Sequence, residues 1–128
     1  MPANSNYSEN QQQYVVATLT LIRKQSNAYL PIGHSFIPFD ILVTVIESFT
    51  SNKELTVKAL FASLPYSDMG LRYHFRKLLE TGWIELHSVT GDARVKQVKP
   101  TDKLEKHFES LSHSIFPFLN HSPVVNSN

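Results

Sequence analysis

The chain has 128 residues, of which 41% are hydrophobic, so it can form one domain with a modest core. It contains no cysteine, which excludes disulfides and thiolate metal sites. The formal net charge is +1, so an interaction with nucleic acid can be argued only from where the charges lie.

The N-terminal part begins with polar residues 1–12, rich in Asn, Gln and Ser, which predict a disordered arm. They lack the basic and apolar regions of a signal peptide. Apolar residues then recur at helical spacing from about Tyr14 to Tyr29, on the stripe Val15, Leu19 and Ile22. The sequence LPIGHSFIP breaks this helix with Pro and Gly. Residues 13–37 are therefore predicted to form an N-terminal helix and a connector.

Three further helices are predicted from apolar residues at i, i+3, i+4 and i+7. The first carries the stripe Leu42, Val45, Ile46 and Phe49. The second is short, because Thr56 can cap its start and Pro65 stops it, and its stripe is Val57, Leu60, Phe61 and Leu64. After the tight turn PYS, the third starts at Ser67 or Asp68 and ends at Gly82, with the inward stripe Leu71, Phe75, Leu78 and Leu79.

The periodicity changes after Gly82. Ile84 and Leu86 alternate with polar residues, which predicts a strand with one buried face, and VTGD supplies a reversal. On the return strand Val98 shares a face with Arg94 and Lys96, so the base of the hairpin is expected to pack inward while its tip stays in water.

A last helix is predicted over residues 101–116. Thr101 can cap it, and its stripe is Leu104, Phe108 and Leu111. Pro117 is expected to limit it, and residues 117–128 are predicted to be a disordered tail.

The order of elements predicts a mainly α protein with a small β-wing, an α+β fold. Residues 38–100 form the winged helix-turn-helix domain in this prediction. The longest apolar run, FDILVTVIESF, carries two acidic residues and is too short to span a bilayer. We therefore expect a soluble, cytoplasmic protein with no membrane segment.

Three motifs resemble those of the MarR family of bacterial transcription regulators. They are the exit LLETGWIE from the fourth helix, the hairpin sequence DAR in the family's D-x-R pattern, and KPTDK opening the last helix. The resemblance covers roughly residues 39–110. It implies a homodimer held by N- and C-terminal dimerisation helices, repression at a pseudo-palindromic operator in double-stranded DNA, and a small-molecule effector bound between the dimerisation and DNA-binding parts.

The predicted recognition helix, residues 67–81, presents a face suited to the major groove. With the apolar stripe turned inward, its start lies nearest the base edges, where Gly70 would permit close approach; the residues expected there are Ser67, Met69, Gly70 and Tyr73. Arg72 is the best candidate for a bidentate contact to guanine, whereas Arg76 and Lys77 are expected at phosphates. Residues 67–99 contain six basic and four acidic side chains, so the charge of this region is modestly positive.

The predicted wing, residues 84–99, carries Asp92, Arg94 and Lys96. An arginine at a wing tip can enter the narrow minor groove of A/T-rich DNA, where negative potential is concentrated. A carboxylate two residues earlier can hold its guanidinium in place. The alternative is that Asp92 only forms a turn beside Gly91 and that Arg94 is an ordinary solvated residue.

The sequence offers little support for catalysis, so we expect neither an enzyme nor a cofactor. It has no Gly-rich phosphate loop, no G-x-S-x-G motif and no H-x-x-x-H pair. His107 and His113 are six residues apart, which places them on different faces of a helix and argues against a metal site.

Two other functions remain open from the sequence. One is a winged helix that mediates protein–protein interaction without binding DNA, favoured by the modest charge and by Met69, Gly70 and Tyr73, where the family usually has two Ser/Thr residues and often an outward Arg. The other is a plasmid or mobile-element protein that uses the same DNA-binding domain for replication or partitioning.

Overall fold

The structure, a computed structural model, describes residues 2–119, with side chains from residue 8. Its elements are α1 (Pro2–Tyr29), α2 (Phe36–Thr50), α3 (Val57–Ser63), α4 (Asp68–Glu80), β1 (Ile84–Val89), β2 (Asp92–Pro100) and α5 (Asp102–Leu119). This order confirms the predicted mainly α fold with a small β-wing. The chain divides into two compact units, one of α1 with the part of α5 from Glu109 onward, the other of residues Leu30–Phe108.

The core of the second unit is formed by the apolar stripes of its helices and by the base of the wing. Its most deeply buried side chains, each less than 2% exposed or at that limit, are Ile41, Leu42, Val45, Leu60, Leu71, Ile84 and Leu104. Each large aliphatic side chain removed from water contributes about 1.5–3 kcal/mol before the entropy of ordering is subtracted. The helical spacing selected Leu42, Val45, Leu60, Leu71 and Leu104 correctly. It missed Ile41, and Phe49, expected in the same stripe as Leu42, is 42% exposed.

The starts of the helices are set by hydroxyl caps. The Thr56 hydroxyl accepts a hydrogen bond from the Ala59 amide at 3.1 Å, and the Ser67 hydroxyl accepts one from the Gly70 amide at 3.1 Å, so both predicted caps are confirmed. Helix α2 begins earlier than the sequence indicated. Ser35 caps it, and Pro38 lies inside its first turn, where a missing N–H costs no helical hydrogen bond.

The wing is an antiparallel pair that is buried only at its base. Regular pairing runs from Ile84 with Pro100 to Ser88 with Lys96, and then shifts. The expectation that Leu86 shares the buried face of Ile84 is wrong, because Leu86 is 39% exposed. Its cross-strand partner Val98 is only 4% exposed, so at this position of the sheet the packing covers β2 and leaves the β1 side chain partly in water. A further bond, from the Val98 amide to the Leu55 carbonyl at 2.7 Å, joins β2 to the segment before α3.

Helix α5 starts as predicted and ends later. The Thr101 hydroxyl donates to the Gly82 carbonyl at 2.6 Å and accepts from the Leu104 amide at 3.2 Å. The helix then runs through Pro117 to Leu119, so the expected end at residue 116 is wrong. Pro117 lacks one backbone N–H donor, and it lies only two residues before the helix ends at Leu119, so few helical hydrogen bonds are affected. Residues 120–128 of the predicted tail lie outside the described residues.

The first unit differs from the sequence prediction at its start. Helix α1 begins at Pro2, whereas residues 1–12 were predicted to be a disordered arm. Proline is favourable at the first helical position, and no other proline and no glycine interrupts the segment before residue 29. Within this unit the rings of Tyr14 and Phe118 stack at 5.8 Å, and the Tyr14 hydroxyl donates to the Phe118 carbonyl at 3.2 Å. None of the described helices is long and apolar enough to cross a membrane.

Candidate DNA-binding surface

Helix α4 is anchored through its inner face, which leaves its outer face free. Leu71, Phe75 and Leu78 are buried, and the Phe75 ring meets Phe61 of α3 edge to face at 5.4 Å. On the opposite face Met69 is 82% exposed and Tyr73 is 60% exposed. The helical wheel drawn from the sequence therefore describes correctly which side of α4 faces outward.

The three basic side chains of α4 lie in different environments. Arg72 donates through Nε to a carboxylate oxygen of Asp68 at 2.6 Å, across one helical turn. Lys77 places its ammonium 5.9 Å from the centre of the Tyr73 ring. Arg76 makes no ion pair with any residue that the structure describes. The outer face thus offers one paired guanidinium, one cation over an aromatic ring, and one guanidinium available for a new partner.

Gly70 lies against α2. A Cβ at this position would be 3.1 Å from Ile37 Cδ1 and 3.2 Å from the Ser67 hydroxyl oxygen. Such distances are tighter than ordinary van der Waals contact, so glycine lets the start of α4 approach the start of α2. The structure thereby supplies a packing reason for a glycine that the sequence suggested only for close approach to DNA.

The tip of the wing carries an exposed arginine that a carboxylate orients. One oxygen of Asp92 accepts hydrogen bonds from the Arg94 backbone amide at 3.0 Å and from Arg94 Nε at 3.4 Å. The Arg94 side chain is 92% exposed. The sequence left two roles open for Asp92, a bond within the turn and a contact with the Arg94 guanidinium. The Asp92 carboxylate makes both contacts. Farther down, Lys96 donates to the Ser88 hydroxyl at 3.0 Å across the two strands.

A pocket of about 410 Å³ lies beside α4 within the second unit. Its aromatic and cationic lining includes His34 from the connector before α2, Trp83, and the α4 residues Tyr73, His74 and Lys77. Burial, and then the neighbouring charge of Lys77, lowers the pKa of His74. The half-buried imidazole is therefore favoured in its neutral form. No group of three or more potential metal ligands occurs among residues 2–119.

Two contacts that support this surface were not found from the sequence. The Tyr66 hydroxyl, in the turn before α4, donates to the Asp40 carboxylate of α2. The two residues are 26 positions apart, and no local pattern pairs them. The second contact is Asp68 with Arg72, whose i, i+4 spacing is visible in the sequence and would have identified it.

Trp83 lies in the core under the wing and is 8% exposed. Its ring is also covered from the side of α5. The Lys103 ammonium lies 4.4 Å from the ring centre and donates to the Thr81 carbonyl at 2.9 Å. These contacts attach the C-terminal end of α4 to the first turn of α5.

Solved structures similar to this one are regulators of transcription. A transcriptional regulator from Thermotoga maritima is 16% identical over 91% of this chain and 77% of its own, with a TM-score of 0.64. MarR from E. coli in its apo form is 17% identical over 88% of this chain and 78% of its own, with a TM-score of 0.57. AbfR of Staphylococcus epidermidis, solved bound to DNA in its overoxidized form, is 20% identical over 91% of this chain and 85% of its own, with a TM-score of 0.54.

No protein-family model and no curated protein sequence matches the chain. The structural similarity nonetheless confirms the fold that the sequence resemblance implied. The chain has the winged helix architecture of MarR-type regulators, with one helix before the helix-turn-helix in the sequence and one after the wing.

Proposed function

We propose that this protein is a transcription regulator that binds double-stranded DNA sequence-specifically. In this proposal α4 enters the major groove and the wing reaches the adjacent minor groove. The observation that carries it is the wing tip, where a guanidinium that is almost fully exposed is oriented by a neighbouring carboxylate. At 92% exposure the Arg94 side chain packs against little of its own fold, and its positive charge matches the negative potential of a minor groove.

The outer face of α4 supplies the other contacts. Met69 and Tyr73 are exposed and lie at positions that dock near base edges. Ser67 caps α4, and Gly70 packs against α2. Arg76 and Lys77 are suited to phosphates, which position the helix but carry no sequence information. AbfR, which has the same fold, has been solved bound to DNA, which supports DNA as the partner of this protein.

We further propose a homodimer formed by the first unit. Apolar side chains remain exposed on α1 and at the end of α5, including Val15, Val16, Leu19 and Phe116. A second copy of the chain would cover them and place two recognition helices on successive major grooves, about 10–11 bp apart. A two-fold protein pairs with a pseudo-palindromic operator. We propose that the bound dimer represses transcription by blocking a promoter.

A small-molecule effector is the last part of the proposal. The pocket beside α4 combines aromatic rings with Lys77, which suits a small aromatic anion. Because Tyr73 and Lys77 belong to both the pocket and the outer face of α4, a ligand there would compete with DNA. Such a regulator would act in the bacterial cytoplasm, where the DNA lies.

Fluorescence anisotropy with a labelled random-sequence duplex tests the function directly. We expect the protein to bind at low salt and to weaken steeply as salt rises, because phosphate contacts release counterions. Arg94→Ala is expected to weaken binding, whereas Lys106→Ala, an exposed basic residue on α5, is not. If the native protein does not bind at low salt, the DNA-binding proposal fails, and a protein partner becomes the better explanation for this surface.

A further inference from the structure

Asp68 and Arg72 form a paired unit at the start of α4, where a docked helix lies nearest to the bases. Arg72 donates through Nε to Asp68 at 2.6 Å, and the two side chains are 68% and 65% exposed. Arg72 is the one basic residue of α4 that has a carboxylate partner among the described residues. The contact therefore distinguishes it from Arg76 and Lys77.

The geometry of this contact leaves the end of the guanidinium open. A guanidinium has five N–H donors in a planar fork. Asp68 occupies the Nε side, so the two terminal nitrogens remain free to donate in parallel. Guanine presents two acceptors, O6 and N7, side by side in the major groove, and a forked pair of donors matches them.

The carboxylate also disfavours the competing use of Arg72. A free arginine at the start of α4 could turn toward a phosphate, which would raise affinity for any sequence. Asp68 restricts the side chain, and its own negative charge opposes approach to the backbone. The pair is thus suited to base edges and poorly suited to phosphates.

We infer that Arg72 determines specificity for guanine in each half-site and that Asp68 is the positioning residue that makes it selective. This inference rests on the proposed DNA-binding function. Removal of the Asp68 carboxylate should strengthen binding to unrelated DNA and weaken the preference for guanine. A residue with a purely structural role would not have this effect.

The chain offers a matched control at Asp102. Asp68 is the first residue of α4 after the cap Ser67, and Asp102 is the first residue of α5 after Thr101. Replacement of either by Asn removes one negative charge from the first turn of a helix. Only Asp68→Asn also weakens the contact that restrains Arg72, so the two variants separate the local effect from the change in net charge.

The experiment starts with selection of duplexes from a random library by the full chain, followed by affinity measurements on the selected site. The variants are Asp68→Asn, Asp102→Asn, Arg72→Ala and Arg72→Lys, the last of which keeps the charge but loses the fork. Probe duplexes carry guanine, adenine or 7-deazaguanine, which lacks the N7 acceptor, at each selected guanine. Thermal unfolding confirms that each variant is folded.

We expect the native chain to prefer one guanine per half-site over adenine by roughly ten- to a hundred-fold, the size of a good bidentate contact. Arg72→Ala and Arg72→Lys should lose this preference. Asp68→Asn should reduce it several-fold and bind unrelated DNA more tightly, and Asp102→Asn should do neither.

Two results would overturn the inference while leaving DNA binding intact. One is a native chain that binds with steep salt dependence but shows no guanine preference lost on Arg72→Ala. The other is an Asp68→Asn variant that behaves like Asp102→Asn. A native chain that binds no duplex at any salt concentration would instead remove the proposed function itself.

Discussion

The hydroxyl of Tyr66 donates a hydrogen bond to the carboxylate of Asp40, which ties the turn of the helix-turn-helix to α2. The turn carries the cap Ser67 of α4 one residue later. Because this bond joins elements 26 residues apart, it helps to set the direction in which the recognition helix leaves the turn.

Loss of this hydroxyl should destabilise the fold. We expect Tyr66→Phe to lower the thermal unfolding midpoint by a few degrees, because the Asp40 carboxylate loses a donor that it has in the native state. The bond to Asp40, then burial, then the charge of Asp40 raises the pKa of Tyr66 above its usual value. A raised folded pKa contributes stability that is complete below the unfolded pKa, near 10, and is lost as pH rises through the folded value.

The control is Tyr73→Phe, because the Tyr73 hydroxyl makes no hydrogen bond within residues 8–119. This variant should leave unchanged both the thermal unfolding midpoint and the loss of stability at alkaline pH. Equal midpoints for the native chain and Tyr66→Phe would show that the Asp40 contact is not stabilising.

The packing of α4 on α2 can be tested by a double-mutant cycle at Gly70 and Ile37. Alanine is a better helix former than glycine by about 1 kcal/mol, but its Cβ would lie 3.1 Å from Ile37 Cδ1. We expect Gly70→Ala to be more favourable when Ile37→Val has removed that methyl group. Chemical denaturation should give a coupling energy of at least about 0.5 kcal/mol. An additive cycle would mean that the contact does not constrain residue 70.

His74 should make stability fall at mildly acidic pH. Burial and the charge of Lys77 lower its pKa in the folded state, so the unfolded chain takes up a proton first as pH falls below about 6.5. The native state is thereby destabilised between that pH and the lower folded pKa. We expect the difference in thermal midpoint between pH 7.5 and pH 5.5 to shrink in His74→Gln. His113→Gln, at an exposed position, is the control. If this pH-dependent difference changes equally in both variants, His74 is not its source.

At the wing, the carboxylate and the guanidinium should contribute differently to DNA binding. Arg94→Ala removes a cation and is expected to weaken binding and to reduce the salt slope by about one. Asp92→Asn keeps the cation but weakens the contact that orients it, so it should lower affinity less and leave the slope unchanged. Anisotropy titrations over a series of salt concentrations measure both quantities. If the wing does not contribute to DNA binding, both variants should give the same binding curves as the native chain.

The dimer proposal predicts that charge on the exposed face of α1 separates the subunits. Leu19→Glu should shift the chain from dimer to monomer in analytical sedimentation at micromolar concentration, because the carboxylate would be buried without a partner. Phe36→Glu is a matched control, since Phe36 is also an exposed apolar residue but lies in the other unit. A native chain that sediments only as monomer would contradict the proposal.

Much of the fold follows from local patterns in the sequence. Apolar residues at helical spacing select the inner face of α4, since Leu71, Phe75 and Leu78 are all buried. The caps Thr56 and Ser67 are readable because a hydroxyl before a helix satisfies amides that no other group reaches. The hairpin is visible because periodicity changes from helical to alternating after Gly82.

Other features were decided only by tertiary structure. Gly70 is needed because α2 lies against it, and Leu86 is 39% exposed although its cross-strand partner Val98 is buried. The contact of Tyr66 with Asp40 depends on two segments that meet only after folding. The sequence by itself determined which residues form helices and strands and which faces are apolar, because propensity, capping and periodicity act over a few residues. Which neighbour each face meets depends on packing between distant segments, and that information exists only in the folded chain.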